Sequence, residues 1–340
     1  MVKQSRNHDW LEQVQEEALE PDLPICDPHH HLWRDRKGAV QPCYMLDEIV
    51  EDLSGGHNIV STVFIECGAE FREDGPEDLR CVGETDFVVG IAEQADAQGY
   101  GHFHIAKGIV GTADLKIGDA VADVLDAQIE AGKGRFRGIR LGTLWHESPE
   151  IADHRTNPPK GLMLRDDFRE GFRHLASREL SFEVWCCHPQ IDEAADLARA
   201  FPDTVIVLDH FGGPVGIGPY EGKSEEVFAH WRKMIDGLAA CPNVYAKLGG
   251  LNMEVNGFGW HERDKPPTSD ELLAATRHYF DYQIEKFGVE RCMFESNFPV
   301  DKVSCSYTVV WNMFKKLARD FSADEKAALF HDTATGVYRL

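Results

Sequence analysis

The run Ile59-Val60-Ser61-Thr62-Val63-Phe64-Ile65 carries the clearest strand signal in the sequence, because it is dense in β-branched and aromatic residues. Short runs of this kind recur along the chain, and the segments between them have the hydrophobic period of a helix. Eight strands are predicted in this way, at 24–26, 59–65, 104–110, 136–140, 181–187, 204–208, 244–248 and 292–295. Eight strands that alternate with helices favour an α/β fold in which parallel strands close into a (β/α)8 TIM barrel.

The helices and loops between these strands fit the same architecture. Helical periodicity is clear at 117–131, 165–178, 190–200, 224–240, 269–287 and 307–319. An open, doubly wound sheet is the alternative, but no GxGxxG motif follows the first strand, which weakens the case for a dinucleotide site. We therefore expect one barrel domain at residues 25–340, preceded by an N-terminal extension at residues 1–24.

Composition excludes several classes of partner. The 340 residues include 35 Lys and Arg against 58 Asp and Glu, a formal net charge of −23. Such a chain repels phosphate backbones and anionic lipid surfaces, so we expect neither nucleic acid nor membrane as a partner. No apolar run approaches the ~18 residues of a membrane span, and the first 24 residues do not resemble a signal peptide. Nine cysteines without a CxxC pair predict free thiols and a cytoplasmic location; a homo-oligomer is compatible with the sequence.

The first predicted strand leads into Asp27-Pro28-His29-His30-His31-Leu32-Trp33. Alternate side chains of an extended segment share one face, so His29 and His31 are expected to point together into the barrel mouth. Two imidazoles placed in this way form half of a transition-metal site. The alternative is a histidine-rich loop that binds no ligand.

Other predicted strands also end in ionisable residues, and catalytic groups of such barrels lie at the C-terminal ends of the strands. The fifth strand leads to His188, the sixth to Asp209 and His210, and the eighth to Glu295. Arg140 ends the fourth strand with a guanidinium fork suited to a substrate carboxylate, and Glu66 ends the second. Histidines at three strand ends favour an active site over isolated structural histidines.

These motifs resemble the amidohydrolase superfamily, and within it the amidohydrolase-related lactonases, which include sugar-acid lactonases, 2-pyrone-4,6-dicarboxylate lactonase and 4-sulfomuconolactone hydrolase. The resemblance covers most of the chain from Cys26 onward. Its motifs are Asp27-Pro28-His29-His30-His31-Leu32-Trp33, Gly83-Glu84-Thr85, Gly108-Ile109-Val110-Gly111, Gly138-Ile139-Arg140-Leu141, His188-Pro189-Gln190, Leu208-Asp209-His210-Phe211-Gly212-Gly213-Pro214 and Glu295-Ser296-Asn297-Phe298-Pro299.

The resemblance implies a barrel in which His29, His31 and His188 surround a metal or the attacking water. It implies that His210 faces the substrate or a second metal. The metal expected from this chemistry is Zn²⁺ or Mn²⁺, although some members of the branch work without a tightly held metal.

The eighth strand departs from the family pattern, which generally reads Gly-Ser-Asp-Trp-Pro where this chain has Glu295-Ser296-Asn297-Phe298-Pro299. An amide cannot take a proton from water at neutral pH, so Asn297 cannot replace the family's aspartate as a base. Glu295 lies two residues earlier, on the same face of the strand and one layer deeper. We predict that the acid has moved to Glu295, with Asp301 as the next candidate. The alternative is that Glu295 is a buried ion-pair partner of Arg140 or Lys247.

The leading hypothesis is a hydrolase that opens a lactone or a similar cyclic carboxylic ester. In this hypothesis His29, His31 and His188 hold the metal, and Glu295 or Asp301 takes the proton. The substrate is a small molecule bearing a carboxylate, which Arg140 would anchor while Trp33 forms an apolar wall. Further residues expected beside the substrate are His210, Asn297 and Glu66. The rival hypotheses are a non-oxidative decarboxylase of an aromatic or unsaturated acid and a catalytically silent small-molecule-binding barrel.

Overall fold

Eight parallel strands form one sheet in the sequential order β1 to β8 in the computed structural model, which describes residues 7–152 and 155–340. The strands are β1 (Pro24–His30), β2 (Asn58–Ile65), β3 (Gly108–Gly111), β4 (Phe136–Arg140), β5 (Ser181–Val184), β6 (Ile206–Leu208), β7 (Val244–Leu248) and β8 (Cys292–Phe294). The two edges meet at a bridge between His30 and Phe298, where the backbone N–H of His31 donates to the carbonyl of Phe298 at 2.8 Å. The predicted (β/α)8 barrel is confirmed.

Helices alternate with the strands and cover the outside of the barrel. They are α1 (His8–Leu11), α2 (Leu46–Leu53), α3 (Val82–Ala97), α4 (Val121–Ala131), α5 (Asp166–Phe172), α6 (Ile191–Ala200), α7 (Ser224–Ala239), α8 (Ser269–Phe287), α9 (Tyr307–Leu317), α10 (Ala323–Ala327) and α11 (Thr333–Tyr338). Short 3-10 helices at His188–Gln190, His210–Gly212 and Asp301–Val303 follow three of the strands. Within the described ranges, no helix has the length and apolar character needed to cross a membrane.

Two strand boundaries differ from the prediction in ways that matter for the site. β3 begins at Gly108 rather than at His104, because His104 and Ala106 have positive φ angles of 41° and 49°, which do not fit a strand. β5 ends at Val184, three residues before the predicted end at Cys187. Because β5 ends earlier than predicted, the residues after Cys187 lie three residues further from the strand end than the sequence suggested.

Helix α3 was not among the helices predicted, since it lacks the simple apolar stripe of an amphipathic helix. It buries polar residues such as Glu84 and Thr85 together with its valines. The Glu84 carboxylate accepts hydrogen bonds from the backbone N–H groups of Cys67 and Ala69, at 2.9 and 2.8 Å. This helix therefore fixes the loop that follows β2 and carries Glu66.

The segment before β1 packs against the barrel through several polar contacts. The indole N–H of Trp10 donates to the carbonyl of Arg263 at 2.9 Å, and the Glu16 carboxylate accepts from the backbone N–H and the hydroxyl of Ser269. The division at residue 24 into an extension and a barrel domain stays a prediction.

The barrel interior changes from apolar to charged along its axis. One apolar cluster joins inward-facing strand residues to α11, and it comprises Cys26, Val63, Ile65, Val110, Val207, Met293, Ala334, Val337 and Tyr338. Beside it lies a buried charged group, in which Lys247 Nζ lies 2.6 Å from Glu183 Oε2 and 3.3 Å from Asp209 Oδ1. All nine cysteines are buried free thiols, as predicted. The C-terminal helix thus closes the barrel beneath a set of buried charges.

The hydroxyl of Tyr338 donates to Glu183 Oε1 inside the barrel, and Nζ of Lys247 lies 2.6 Å from the other oxygen of that carboxylate. We expect Tyr338→Phe to lower the free energy of unfolding by about 1–3 kcal/mol, because a buried acceptor loses its donor. Urea denaturation at pH 7 measures this change. The matched control is Tyr282→Phe, whose hydroxyl bonds to Asp236 at the surface, and it should change stability by less than about 0.5 kcal/mol. Equal effects of the two substitutions would contradict the role given to Tyr338.

Candidate active site

The carboxylate of Glu295 joins two imidazoles at the C-terminal end of the barrel. Its Oε2 lies 2.7 Å from Nδ1 of His29, and its Oε1 lies 2.6 Å from Nδ1 of His210. The three side chains come from β1, from the turn after β6 and from the residue after β8, and all three are buried. Three strand ends therefore converge on one carboxylate.

Two consecutive glycines leave room for this arrangement. A Cβ atom at Gly250 would collide with the His210 ring, and one at Gly249 would collide with the backbone and side chain of Glu295. Gly250 also has a φ angle of 71°, which favours glycine. The loop after β7 is thus shaped to let His210 and Glu295 meet.

His29 is surrounded by charged groups on both of its ring nitrogens. Its Nε2 lies 3.3 Å from Nη1 of Arg140, and its Nδ1 lies 3.2 Å from Nζ of Lys247. Burial lowers the pKa of His29 well below its usual value, and the positive charge of Lys247 lowers it further. His29 is therefore a neutral imidazole at pH 7.

The guanidinium of Arg140 is engaged within the protein. Its Nε donates to Oε1 of Glu66 at 2.9 Å, and its Nη1 donates to Oδ2 of Asp209 at 3.3 Å. Arg155 donates to both carboxylate oxygens of Glu66, each at 2.9 Å. Burial alone would raise the pKa of Glu66, but Arg140 and Arg155 outweigh it and hold this pKa below its usual range. The fork that the sequence led us to assign to a substrate carboxylate thus has Glu66 and Asp209 as partners within the protein, and Glu66 is engaged by two arginines.

Asn297 and Asp301 form a pair above Glu295. Asn297 has a φ angle of 55°, and its Nδ2 donates to Oδ1 of Asp301 at 2.8 Å. The other oxygen of Asp301 accepts from the backbone N–H of Asn252 at 3.1 Å. Burial raises the pKa of Asp301 to about 7. Asp301 therefore has its nearest partners in Asn297 and the β7 loop.

A cavity of about 150 Å³ opens above these groups, and we call it the inner cavity. It is lined by His31, Arg36, Cys67, Arg140, Arg155, Trp185, His210, Met253, Asn297 and Val300. The ring of His31 lies 4.9 Å from that of His29, and its Nδ1 lies 2.8 Å from the carbonyl oxygen of Ile65. That contact requires a proton on Nδ1, so the Nε2 lone pair of His31 is left for a ligand. Trp33 does not line this cavity but the neighbouring one described below.

His188 lies in a different place from the other predicted ligands. Because β5 ends at Val184, three residues separate the strand end from His188, which begins a 3-10 helix. It lines a cavity of about 410 Å³ and makes ring contacts with Tyr220 and His230. Its Nδ1 accepts from the backbone N–H of Val215 at 3.4 Å, so in this arrangement Nε2 carries the proton of the neutral imidazole. The structure does not bring His188 to His29 and His31.

Two buried groups of potential metal ligands occur among the residues that the structure describes, and both include His29. In one, His29 joins Glu183 and Asp209, whose charges Lys247 already balances. In the other, His29 joins His210 and Glu295, whose Oε2 lies 2.7 Å from Nδ1 of His29. Two imidazoles and a carboxylate are a donor set that zinc accepts, so the second group fits a divalent ion.

Glu183 and Arg155 were missed by the sequence reasoning, and Lys247 was considered only as a possible ion-pair partner of Glu295. Glu183 and Lys247 stand inside otherwise apolar parallel strands, and a charge at such a position is itself a signal of a buried ionic group. Arg155 comes from a loop whose sequence carries no comparable signal.

Because Arg140 has two buried acidic partners, its replacement should affect folding as well as binding. We expect Arg140→Lys to lower the free energy of unfolding by about 2 kcal/mol or more, since a lysine keeps the charge but not the fork. Urea denaturation measures the loss. The control is Arg165→Lys, where the fork meets exposed Asp167, and it should change stability by less than about 0.5 kcal/mol. If Arg140 only bound the substrate, Arg140→Lys would instead raise KM and leave the free energy of unfolding unchanged.

Comparison with known proteins identifies the family of this chain. A family model described as amidohydrolase matches residues 26–340. The protein y4mH of Sinorhizobium fredii (strain NBRC 101917 / NGR234), which is uncharacterized, is 35% identical over 94% of this chain and 99% of its own length. An L-fucono-1,5-lactonase of Burkholderia multivorans is 27% identical over 64% of this chain and 69% of its own length.

Solved structures show the same fold. An amidohydrolase from Burkholderia multivorans with bound zinc superposes with a TM-score of 0.71 at 22% identity, over 93% of this chain and 99% of its own. The family match over almost the whole barrel confirms the resemblance inferred from the motifs. The chain therefore belongs to the amidohydrolase family of hydrolytic enzymes.

Proposed function

We propose that the protein hydrolyses a lactone, or a related cyclic carboxylic ester, to the open hydroxy acid. The observation that carries this proposal is the Glu295 carboxylate, which engages His29 and His210 beneath the inner cavity. Relatives named L-fucono-1,5-lactonase and L-rhamnono-gamma-lactonase support the same class of reaction. A buried carboxylate bonded to an imidazole is the arrangement that general base catalysis needs.

His210 is the member of the group that faces the inner cavity. With the proton on Nδ1, His210 donates to Oε1 of Glu295, and the lone pair of Nε2 is left for a water molecule in the cavity. The carboxylate of Glu295 would stabilise the imidazolium that forms when His210 takes a proton from this water. His210 is then the proton acceptor, and Glu295 orients and stabilises it.

The reaction balances with these two residues. The water oxygen forms a bond to the lactone carbonyl carbon while its proton passes to Nε2 of His210. The ring C–O bond of the tetrahedral intermediate then breaks, and the imidazolium returns the proton to the leaving alkoxide oxygen. The product carries one new hydroxyl group and one new carboxylic acid, which releases its proton to solvent, and His210 is again neutral.

The same residues fit a divalent ion, and Zn²⁺ or Mn²⁺ is the ion we propose. His29, His210 and Glu295 would hold it, in place of the set of His29, His31 and His188 implied by the resemblance. When bound, such an ion polarises a carbonyl and lowers the pKa of bound water. The neutral state of His29 suits it as a ligand, because only the unprotonated nitrogen coordinates a metal. Glu295 is required both with and without the ion.

Arg36 is the better placed residue for a substrate carboxylate. Its Nη2 donates to the carbonyl of Cys67 at 2.7 Å, and its guanidinium lies 4.4 Å from the ring centre of Trp33. No carboxylate of the described residues is recorded within ion-pair distance of Arg36, whereas Arg140 has two. We therefore assign the substrate carboxylate to Arg36 and a positioning role to Arg140.

The decisive variant is Glu295→Gln, which keeps the size of the side chain but cannot stabilise an imidazolium. We expect the turnover number to fall by ~10²-fold or more, the usual scale of lost general base catalysis. Base consumption in a pH-stat, with a panel of sugar and aromatic lactones, measures the rate. Glu285→Gln, on the outer face of α8, is the matched control and should leave the rate unchanged.

His210→Gln should be as slow as Glu295→Gln, and the double variant no slower, because the two residues act as one unit. Full activity of Glu295→Gln would contradict the proposal. Release of CO₂ from an aromatic acid without base consumption would replace it with the decarboxylase hypothesis, and binding without turnover would replace it with the silent barrel.

Zinc affinity of variants distinguishes the ligand set that includes His210 from the set that includes His188. We expect His210→Ala to bind zinc about tenfold more weakly or worse, because it removes a ligand, and His188→Ala to bind it as the unchanged protein does. Metal analysis of the purified proteins after dialysis against defined zinc concentrations measures both. Zinc loss in His188→Ala with retention in His210→Ala would instead support the set implied by the resemblance.

A further inference from the structure

A second cavity adjoins the inner cavity and shares part of its wall. This outer pocket has a volume of about 400 Å³, and Arg36, Met253 and Val300 line both spaces. The shared residues place the two cavities side by side, with the proposed catalytic group beneath the inner cavity and the outer pocket beyond Arg36. In this arrangement the two cavities can serve together as one binding cleft.

The size of the inner cavity supports this interpretation. Pockets that bury small ligands usually measure about 300–1,000 Å³, and the inner cavity alone is smaller. The cleft reaches that range only when the outer pocket is included. A ligand that fills the site would extend past Arg36.

The wall of the outer pocket is mostly apolar. Its apolar members include Trp33, Val40, Met253, Val255, Val300 and Val303. The indole N–H of Trp33 is already bonded to the carbonyl of Gln41 at 2.8 Å, so it offers no donor to a ligand. The polar side chains of the wall are those of Arg36, Gln41 and Glu254. Hydroxyl groups that enter this pocket would lose water without gaining matched partners from the valines.

We infer that the lactone hydrolysed by this protein carries an apolar substituent, and that this substituent lies in the outer pocket while the ring lies in the inner cavity. The inference rests on the proposed function and narrows its substrate class. A polyhydroxylated sugar lactone would not use the outer pocket. An alkyl or aryl group would gain affinity there, roughly fourfold for each methylene that leaves water.

Binding of lactams tests the inference without turnover, because an amide ring resists the hydrolysis that opens a lactone. The probes are δ-valerolactam and its 6-hexyl derivative, measured by isothermal titration calorimetry. We expect the hexyl compound to bind at least about tenfold more tightly, which corresponds to burial of two or more methylenes. Equal affinities of the two lactams would overturn the inference.

Two substitutions test whether the apolar substituent binds in the outer pocket. Val40→Trp fills the pocket and should bring the ratio of the two affinities close to one. Ile129→Trp adds the same side chain on the outer face of α4, where Ile129 is exposed, and should keep the full ratio. Should Val40→Trp fail to fold, Val40→Thr keeps the volume but adds a hydroxyl, and should lower the ratio by a smaller factor. A ratio that is unchanged in both Val40 variants would overturn the inference.

The remaining outcomes separate this inference from the proposed function. A tenfold lactam preference without hydrolysis of any lactone would sustain the pocket assignment and reject the hydrolase. Lactone hydrolysis with equal lactam affinities would support the hydrolase and reject the assignment of the outer pocket.

Discussion

The pairing of buried carboxylates with buried cations determines how the side chains of the barrel interior and of the candidate site are arranged. Glu183, Asp209 and Glu295 are fully buried carboxylates, and Lys247 and Arg140 are the cations among them. An unpaired charge at such depth costs several kcal/mol, so each of these side chains is held where its partner is. His29 stays neutral because it lies between the two cations and away from water. The proposed catalytic group of His29, His210 and Glu295 is thus one layer of a charged network whose lower layers hold it in position.

The surrounding residues accommodate the change in the eighth strand that places a carboxylate at Glu295. A carboxylate two residues earlier on a strand keeps its face but moves one layer inward. In that layer Glu295 finds His29 and His210, and Gly249 and Gly250 leave the space it needs. The amide that stands in the family's acidic position turns toward Asp301 instead. The substitution therefore places the carboxylate at the floor of the cavity rather than at its rim, where our proposal has His210 connect it to the substrate.

The fold could be predicted because its signals are local. Each strand is a short β-rich run, and the alternation of eight such runs with helices is visible in the sequence. The site could be predicted only as far as strand ends could be located, which placed Glu295 near histidines but misplaced His188 by three residues. The partners of Arg140 could not be predicted, since Glu66 and Asp209 come from other strands and sequence spacing carries no distance between strands. Helix α3 was missed because its buried face includes polar residues.

The buried cysteines can be used to measure local and global unfolding of the protein, because their thiols are shielded from reagents in the folded state. A thiol reacts with alkylating reagents as the thiolate, and burial raises the pKa of Cys67 well above its usual value. Eight of the nine cysteines lie away from the inner cavity, so their alkylation under native conditions would follow local or global unfolding. Cys67 lines the inner cavity and would be reached through the cleft itself. A ligand bound in that cavity would slow the alkylation of Cys67 alone, so the alkylation rate of one native side chain would report how much of the cavity is occupied.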